Sequence, residues 1–225
     1  MAAIKVYLEV TDKKTFAVAL DWPGWCRSAR REEAALDALA DYAPRYARVA
    51  KRSGVRFPVK PELEVVKTVR GDATTEFGAP SRLGPGDEDQ PTATRRKNYL
   101  KILEACWAEL DGMVARSPAA LRKGPRGGGR DRDKMLTHVL ESEAGYARYF
   151  DLKTRTPSLD KKAITSHRDA LLEALRAAGS ATRSEEGNKR WPFAYAVRRV
   201  AWHALDHAWE MEDRRDPSVA VGLSR

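Results

Sequence analysis

Residues 191–214 read as a helix that is apolar on two sides, and this property restricts the folds open to the chain. At 100° per residue, Phe193, Ala196, Val197, Val200, Ala204 and Met211 form one stripe. Tyr195, Trp202 and Trp209 recur every seven residues on the opposite side, with Leu205 between them. A helix with two apolar faces must be covered on both. The first stripe is expected to face a helical bundle. The aromatic seam, lying away from that face, is expected to pack on the N-terminal module, on residues 71–94 or on a second subunit, which makes a homodimer one of the readings.

The same helix carries two of the chain's four histidines, His203 and His207, on the flank of the first stripe. Their i, i+4 spacing puts the two Cβ atoms about 5–6 Å apart, close enough to share one metal ion. Such a site needs a third ligand.

Three more helices precede this one. Tyr99, Ile102, Leu103, Cys106, Leu110, Met113 and Val114 predict an amphipathic helix over residues 94–116. Met135, Val139, Tyr146 and Phe150 predict a second over 131–150, with His138 at the edge of the stripe. Ile164, Leu171, Leu175 and Ala178 predict a third over 160–178, where His167 reads as a structural residue. The basic glycine-rich residues 123–130 form a single copy without a Walker pattern, and read as an inter-helix connection rather than a phosphate cradle. Four such helices joined by loops imply an antiparallel-rich four-helix bundle over residues 95–225.

The N-terminal part has a different periodicity. Residues 4–10 and 15–20 read as a β-hairpin, and residues 62–69 alternate like a third strand. Between them residues 31–53 read as a helix that Pro44 kinks or divides, with Ser28 as the N-cap. The expected fold is therefore an α+β module of order β-β-α-β over residues 1–70, followed by an all-α bundle. Residues 71–94, rich in Gly, Pro, Asp and Thr, read as a linker or extended segment draped over the bundle and docked through Phe77.

The 225 residues, 42% of them hydrophobic, suffice for one large domain or two small ones. There is no run of 18 apolar residues and no signal-peptide pattern, so a cytoplasmic location without membrane contact is expected. Cys26 and Cys106 lack a CxxC partner and read as reduced thiols, with Cys106 buried on its helix. A net charge of +9 raises the question of nucleic acid. Arg and Lys are interleaved with Asp and Glu along the chain, which argues against a nucleic-acid-binding patch.

Two resemblances extend these readings. Residues 136–146, Leu-Thr-His-Val-Leu-Glu-Ser-Glu-Ala-Gly-Tyr, and residues 199–207, Arg-Val-Ala-Trp-His-Ala-Leu-Asp-His, resemble the DinB family over roughly residues 95–215. The match couples a His-x-x-Glu-Ser-Glu segment to a later His-x-x-x-His. It implies a DinB-like four-helix bundle that binds one divalent metal through His138, His203 and His207. Family members with known activity are transferases or isomerases that use low-molecular-weight thiols such as mycothiol or bacillithiol. The implied function is thus a thiol-dependent transferase acting on a small electrophilic substrate. Three neutral imidazoles leave a coordination position open and suit zinc or nickel. Glu143, Asp206 and Glu210 lie within helical reach to orient the ligand rings.

The β-β-α-β order, the Pro23-Gly24 turn and the Glu32-Glu33-Ala34-Ala35-Leu36 helix opening resemble the HicB-like fold over about residues 3–69. HicB proteins are antitoxins that usually add a DNA-binding segment, and none is evident here. That resemblance implies an alternative function, a non-enzymatic interaction protein whose HicB-like module binds a protein or nucleic-acid partner.

Overall fold

In the computed structural model, which describes residues 3–123, 129–178 and 190–215, a four-stranded sheet comes first and helices follow. The strands are β1 (Ile4–Val10), β2 (Thr15–Ala19), β3 (Cys26–Ala29) and β4 (Leu63–Arg70). Helices α1 (Glu32–Asp41) and α2 (Ala43–Ser53) separate β3 from β4. A short α3 (Ala73–Phe77) precedes the four long helices α4 (Ala93–Arg116), α5 (Arg132–Ala147), α6 (Lys161–Ala178) and α7 (Phe193–Arg214). No helix among the described residues is long and apolar enough to cross a membrane.

The sheet order is β3-β2-β1-β4, with β4 parallel to β1 and the other pairs antiparallel. Successive side chains point to opposite faces. Ile4, Val6, Leu8, Ala17 and Ala19 therefore enter one buried cluster together with residues of α1, α2 and all four long helices. Tyr7, Phe16, Val18 and Leu20 face the other way, into a smaller cluster closed by Cys26 and Trp202.

The turn from β2 to β3 joins the sheet to α7. Gly24 has φ +90, in the left-handed region, and a Cβ there would stand 2.7 Å from Leu205 Cδ1. Only glycine permits both the conformation and the approach. Tyr46 donates from its hydroxyl to Pro23 O at 2.9 Å, and Trp25 Nε1 donates to Leu39 O at 2.9 Å. The Trp25 and Tyr46 rings stack with centroids 5.4 Å apart.

Several local expectations need correction. The β-β-α-β order omits β3, of which only the first residue is buried while Arg27, Ser28 and Ala29 are half-exposed, so no apolar alternation marks it. Ser28 pairs with Phe16 in that strand, and Arg31 occupies the N-cap of α1 without a side-chain cap. The helix over 31–53 does divide ahead of Pro44, which occupies the first turn of α2. Phe77 is 91% exposed and docks nothing. The docking residue is Thr75, fully buried, whose hydroxyl donates to Glu9. Most of the glycine-rich connection, residues 124–128, lies outside the described residues.

Residues 71–92 do lie along the molecule, held by polar contacts. The buried Glu9 carboxylate accepts from Ser81 N at 2.9 and 3.0 Å and from Arg82 N at 3.0 Å. Asp87 forms a fully enclosed ion pair with Arg198 on α7. The aromatic seam of α7 meets both this segment and the sheet. Tyr195 donates its hydroxyl to Ser81 O at 3.1 Å, Trp202 meets Phe16 edge-on at 6.1 Å, and Trp209 meets Tyr42 at 5.0 Å.

Removing one member of a buried ion pair strands the other charge, at a cost of about 3–5 kcal/mol. Asp87→Ala should lose that much in urea denaturation, and the double variant Asp87→Leu/Arg198→Met should recover most of it. Equal stability of Asp87→Ala and wild type would contradict the enclosed pair.

Candidate metal centre

His138 projects from α5, and His203 and His207 from consecutive turns of α7. α5 packs on α7, and this brings the three rings together. Their centroids are 5.0 Å (His138 to His203), 5.1 Å (His138 to His207) and 4.7 Å (His203 to His207) apart. One ring nitrogen from each lies within 4.8 Å of the others. His203 and His207 are buried and His138 is half-exposed, so the cluster sits at the edge of the helical core with one side open.

The two α7 rings present Nε2 to Nε2 at 3.2 Å. Bonds of about 2.0–2.1 Å to a tetrahedral zinc ion would separate two ligand nitrogens by about 3.3 Å, so the pair fits one ion without rearrangement. Glu210 holds the outer side of His207, with Nδ1 and Oε2 3.0 Å apart. When Nδ1 donates to that carboxylate, Nε2 is left as the lone-pair nitrogen. Arg214 Nη1 in turn donates to Glu210 Oε1 at 2.8 Å. The hydrogen bond from His207 helps hold the Glu210 carboxyl below its ordinary range.

Electrostatics keep two of the imidazoles neutral. Burial, then the Arg130 guanidinium and His207, push His138 down to about 4. Burial and the neighbouring His207, His138, Arg199 and Arg130 push His203 well below the ordinary histidine range. At neutral pH each of these rings is a neutral imidazole with one lone-pair nitrogen, the state in which histidine ligates. His203 Nδ1 is buried without a hydrogen-bond partner among the described residues. The donor set and the neutral rings could hold a divalent ion of the zinc or nickel type, with His203 and His207 already at ligand spacing and His138 closing on it from within 4.8 Å.

The other expected residues divide. Glu210 touches a triad ring. Asp206 touches none, because Arg27 on β3 donates to it at 2.9 Å and draws it toward the sheet. Glu143 lies elsewhere, since five residues beyond His138 is about 140° further round the helix. There it accepts from Trp107 Nε1 at 2.7 Å, with Oε2 3.6 Å from His167 Nε2 and 3.8 Å from Arg168 Nε. His167 belongs to that buried cluster and not to the triad. Residues not singled out in advance also border the triad. Arg199 stands one turn before His203, and the Tyr146 ring lies 6.0 Å from the His203 ring. Their only signal is the i, i+4 spacing of Tyr195, Arg199 and His203 on α7, which matches His138, Ser142 and Tyr146 on α5. Trp202 is not remote from the triad either, its ring being 5.7 Å from that of His203.

Burial raises the Glu143 carboxyl to about 7, against the opposing pull of Arg168 and the Trp107 hydrogen bond. The folded protein then keeps a proton that the unfolded chain releases between its ordinary value of 4.5 and about 7. This contribution is fully present below the unfolded value and is lost as pH rises through the folded one, about 3 kcal/mol in all. Glu143→Gln should therefore gain stability relative to wild type as pH rises from 4.5 to 8. A pH series of denaturant melts checks this, and a stability difference that does not change with pH contradicts it.

Comparison of the chain with family models, with curated proteins and with solved structures gave no match.

Proposed function

We propose that this chain binds one divalent metal through His138, His203 and His207, and uses the centre as a thiol-dependent transferase acting on a small electrophile. The observation that carries the proposal is the convergence of three imidazoles from two helices, with two Nε2 atoms facing each other at 3.2 Å. The resemblance of α5 and α7 to the DinB four-helix bundle points the same way. A divalent ion held there would act as a Lewis acid and lower the pKa of a small thiol or water in its open position.

The chain's own residues supply the frame. Glu210 orients His207, and Arg214 orients Glu210. The packing of α5 on α7 fixes His138 against the other two rings. The open side next to the half-exposed His138 is where a small molecule can approach. The proposed nucleophile is a bound small thiol and not a cysteine of the chain, since Cys26 and Cys106 are both buried and burial pushes both well above the ordinary thiol range. A thiol of that kind is poorly ionised at neutral pH and is not a nucleophile.

Protein purified without chelator and dialysed against zinc should hold close to one equivalent by elemental analysis, and His203→Ala should hold little. Glu210→Gln, which loses the orienting carboxylate, should weaken zinc binding about 10- to 100-fold. A fluorogenic chloro-electrophile with mycothiol, bacillithiol or glutathione screens the transfer step, in which the thiol sulfur displaces chloride. Wild-type protein that retains no zinc would rule out the metal centre. Zinc retention without any thiol transfer would rule out the proposed reaction with these thiols.

A further inference from the structure

One helical turn before His203, Arg199 is held in a way that the histidine cluster does not require. Its guanidinium lies over the Tyr146 ring at 5.3 Å and over the Trp202 ring at 4.8 Å. These rings belong to α5 and α7, so the group is fixed at the joint between the two helices that carry the triad. Nη1 donates to Pro80 O at 2.9 Å. That bond uses one of the five donors of a guanidinium. The side chain is half-buried and has no carboxylate partner among the described residues.

Arg27 is neutralised by Asp206, Arg214 by Glu210 and Arg198 by Asp87. Arg199 and the exposed Arg130 are cations that act on His203, and neither has a carboxylate partner among the described residues. Glu210, the carboxylate at the triad, is already engaged by His207 and Arg214, so these two cations favour an anionic ligand beside the triad. A stacked guanidinium with a free edge is a preorganised fork for a carboxylate, because its plane is already set and two parallel N–H donors remain. Beside it, Tyr146 lies 5.2 Å from Trp191, which stacks on Tyr149 at 4.4 Å. All three rings are half-exposed and form an aromatic shelf next to the triad.

We infer that Arg199 is the carboxylate-binding residue of the substrate site beside the histidine triad, and that the substrate is a small organic carboxylate with a planar or apolar body. The carboxylate takes the free edge of Arg199, and the body lies along the shelf of Tyr146 and Trp191. This deepens the proposed function by naming the substrate class of the same site, and it rests on that reading for the chemistry performed there.

Benzoate and its neutral isostere benzamide are suitable probes, titrated calorimetrically into both metal-free and zinc-loaded full-length protein. Wild type should bind benzoate at least about tenfold more tightly than benzamide, as expected when a charged donor pair loses its anion. Arg199→Gln should remove that preference while holding as much zinc as wild type. If Arg199→Gln does not fold, Arg199→Lys keeps the charge without the fork, and should weaken benzoate several-fold and leave benzamide unchanged. Equal binding of the two probes by wild type would overturn the inference. So would undiminished benzoate preference in a folded Arg199 variant. Failure of the metal reading is distinguishable: the protein would then hold no zinc, while the metal-free titrations would still compare Arg199 with its variants.

Discussion

α7 has almost no solvent face, and the rest of the molecule is arranged to cover it. Seventeen of its 22 residues are buried, among them two histidines and two arginines. One side packs on α4, α5 and α6, and the other takes Phe16 of the sheet, the Pro23-Gly24 turn and residues 80–81. A helix enclosed in this way cannot rotate or slide without breaking contacts on two sides. That rigidity holds His203 and His207 at a fixed separation, which a site for a single ion needs more than it needs any one interaction.

The enclosure has an electrostatic consequence. Polar groups on or near α7 are cut off from water, and most take a partner or change protonation, although Trp209 Nε1 has no partner among the described residues. Arg198 takes Asp87 and Arg214 takes Glu210, whereas His203 stays neutral. Glu9 solves the same problem with backbone donors from residues 81 and 82. The Glu143, His167 and Arg168 cluster solves it incompletely. Glu143 Oε2, both ring nitrogens of His167 and two nitrogens of Arg168 lack a hydrogen bond among the described residues.

The parts of this arrangement that repeat with a helical period were legible from sequence. The long helices α4 to α7 follow their apolar spacing to within a few residues, and the i, i+4 spacing of His203 and His207 puts both on the face of α7 that meets His138. Features set by a single contact were not legible. β3 is an edge strand with one buried residue, so nothing in its composition separates it from a loop. Thr75 rather than Phe77 docks because a buried carboxylate waits for a hydroxyl, a pairing 66 residues apart in the chain. Asp206 and Glu143 share helices with the triad, but Arg27 and Trp107, from other elements, decide where those carboxylates point.

The polar strapping of residues 71–92 also bears on the order in which the molecule assembles. Its anchors, Glu9 on β1 and Arg198 on α7, are 189 positions apart in the sequence, so the segment can close only after the first strand and the last helix have met. Contacts that depend on such distant partners form late, and regions held by few apolar contacts open first. We expect the strap to be the last piece to dock and the first to come loose. The amides of Ser81 and Arg82, both bonded to Glu9, should then exchange with solvent faster than those in the middle of α7, and slower exchange there would count against this order.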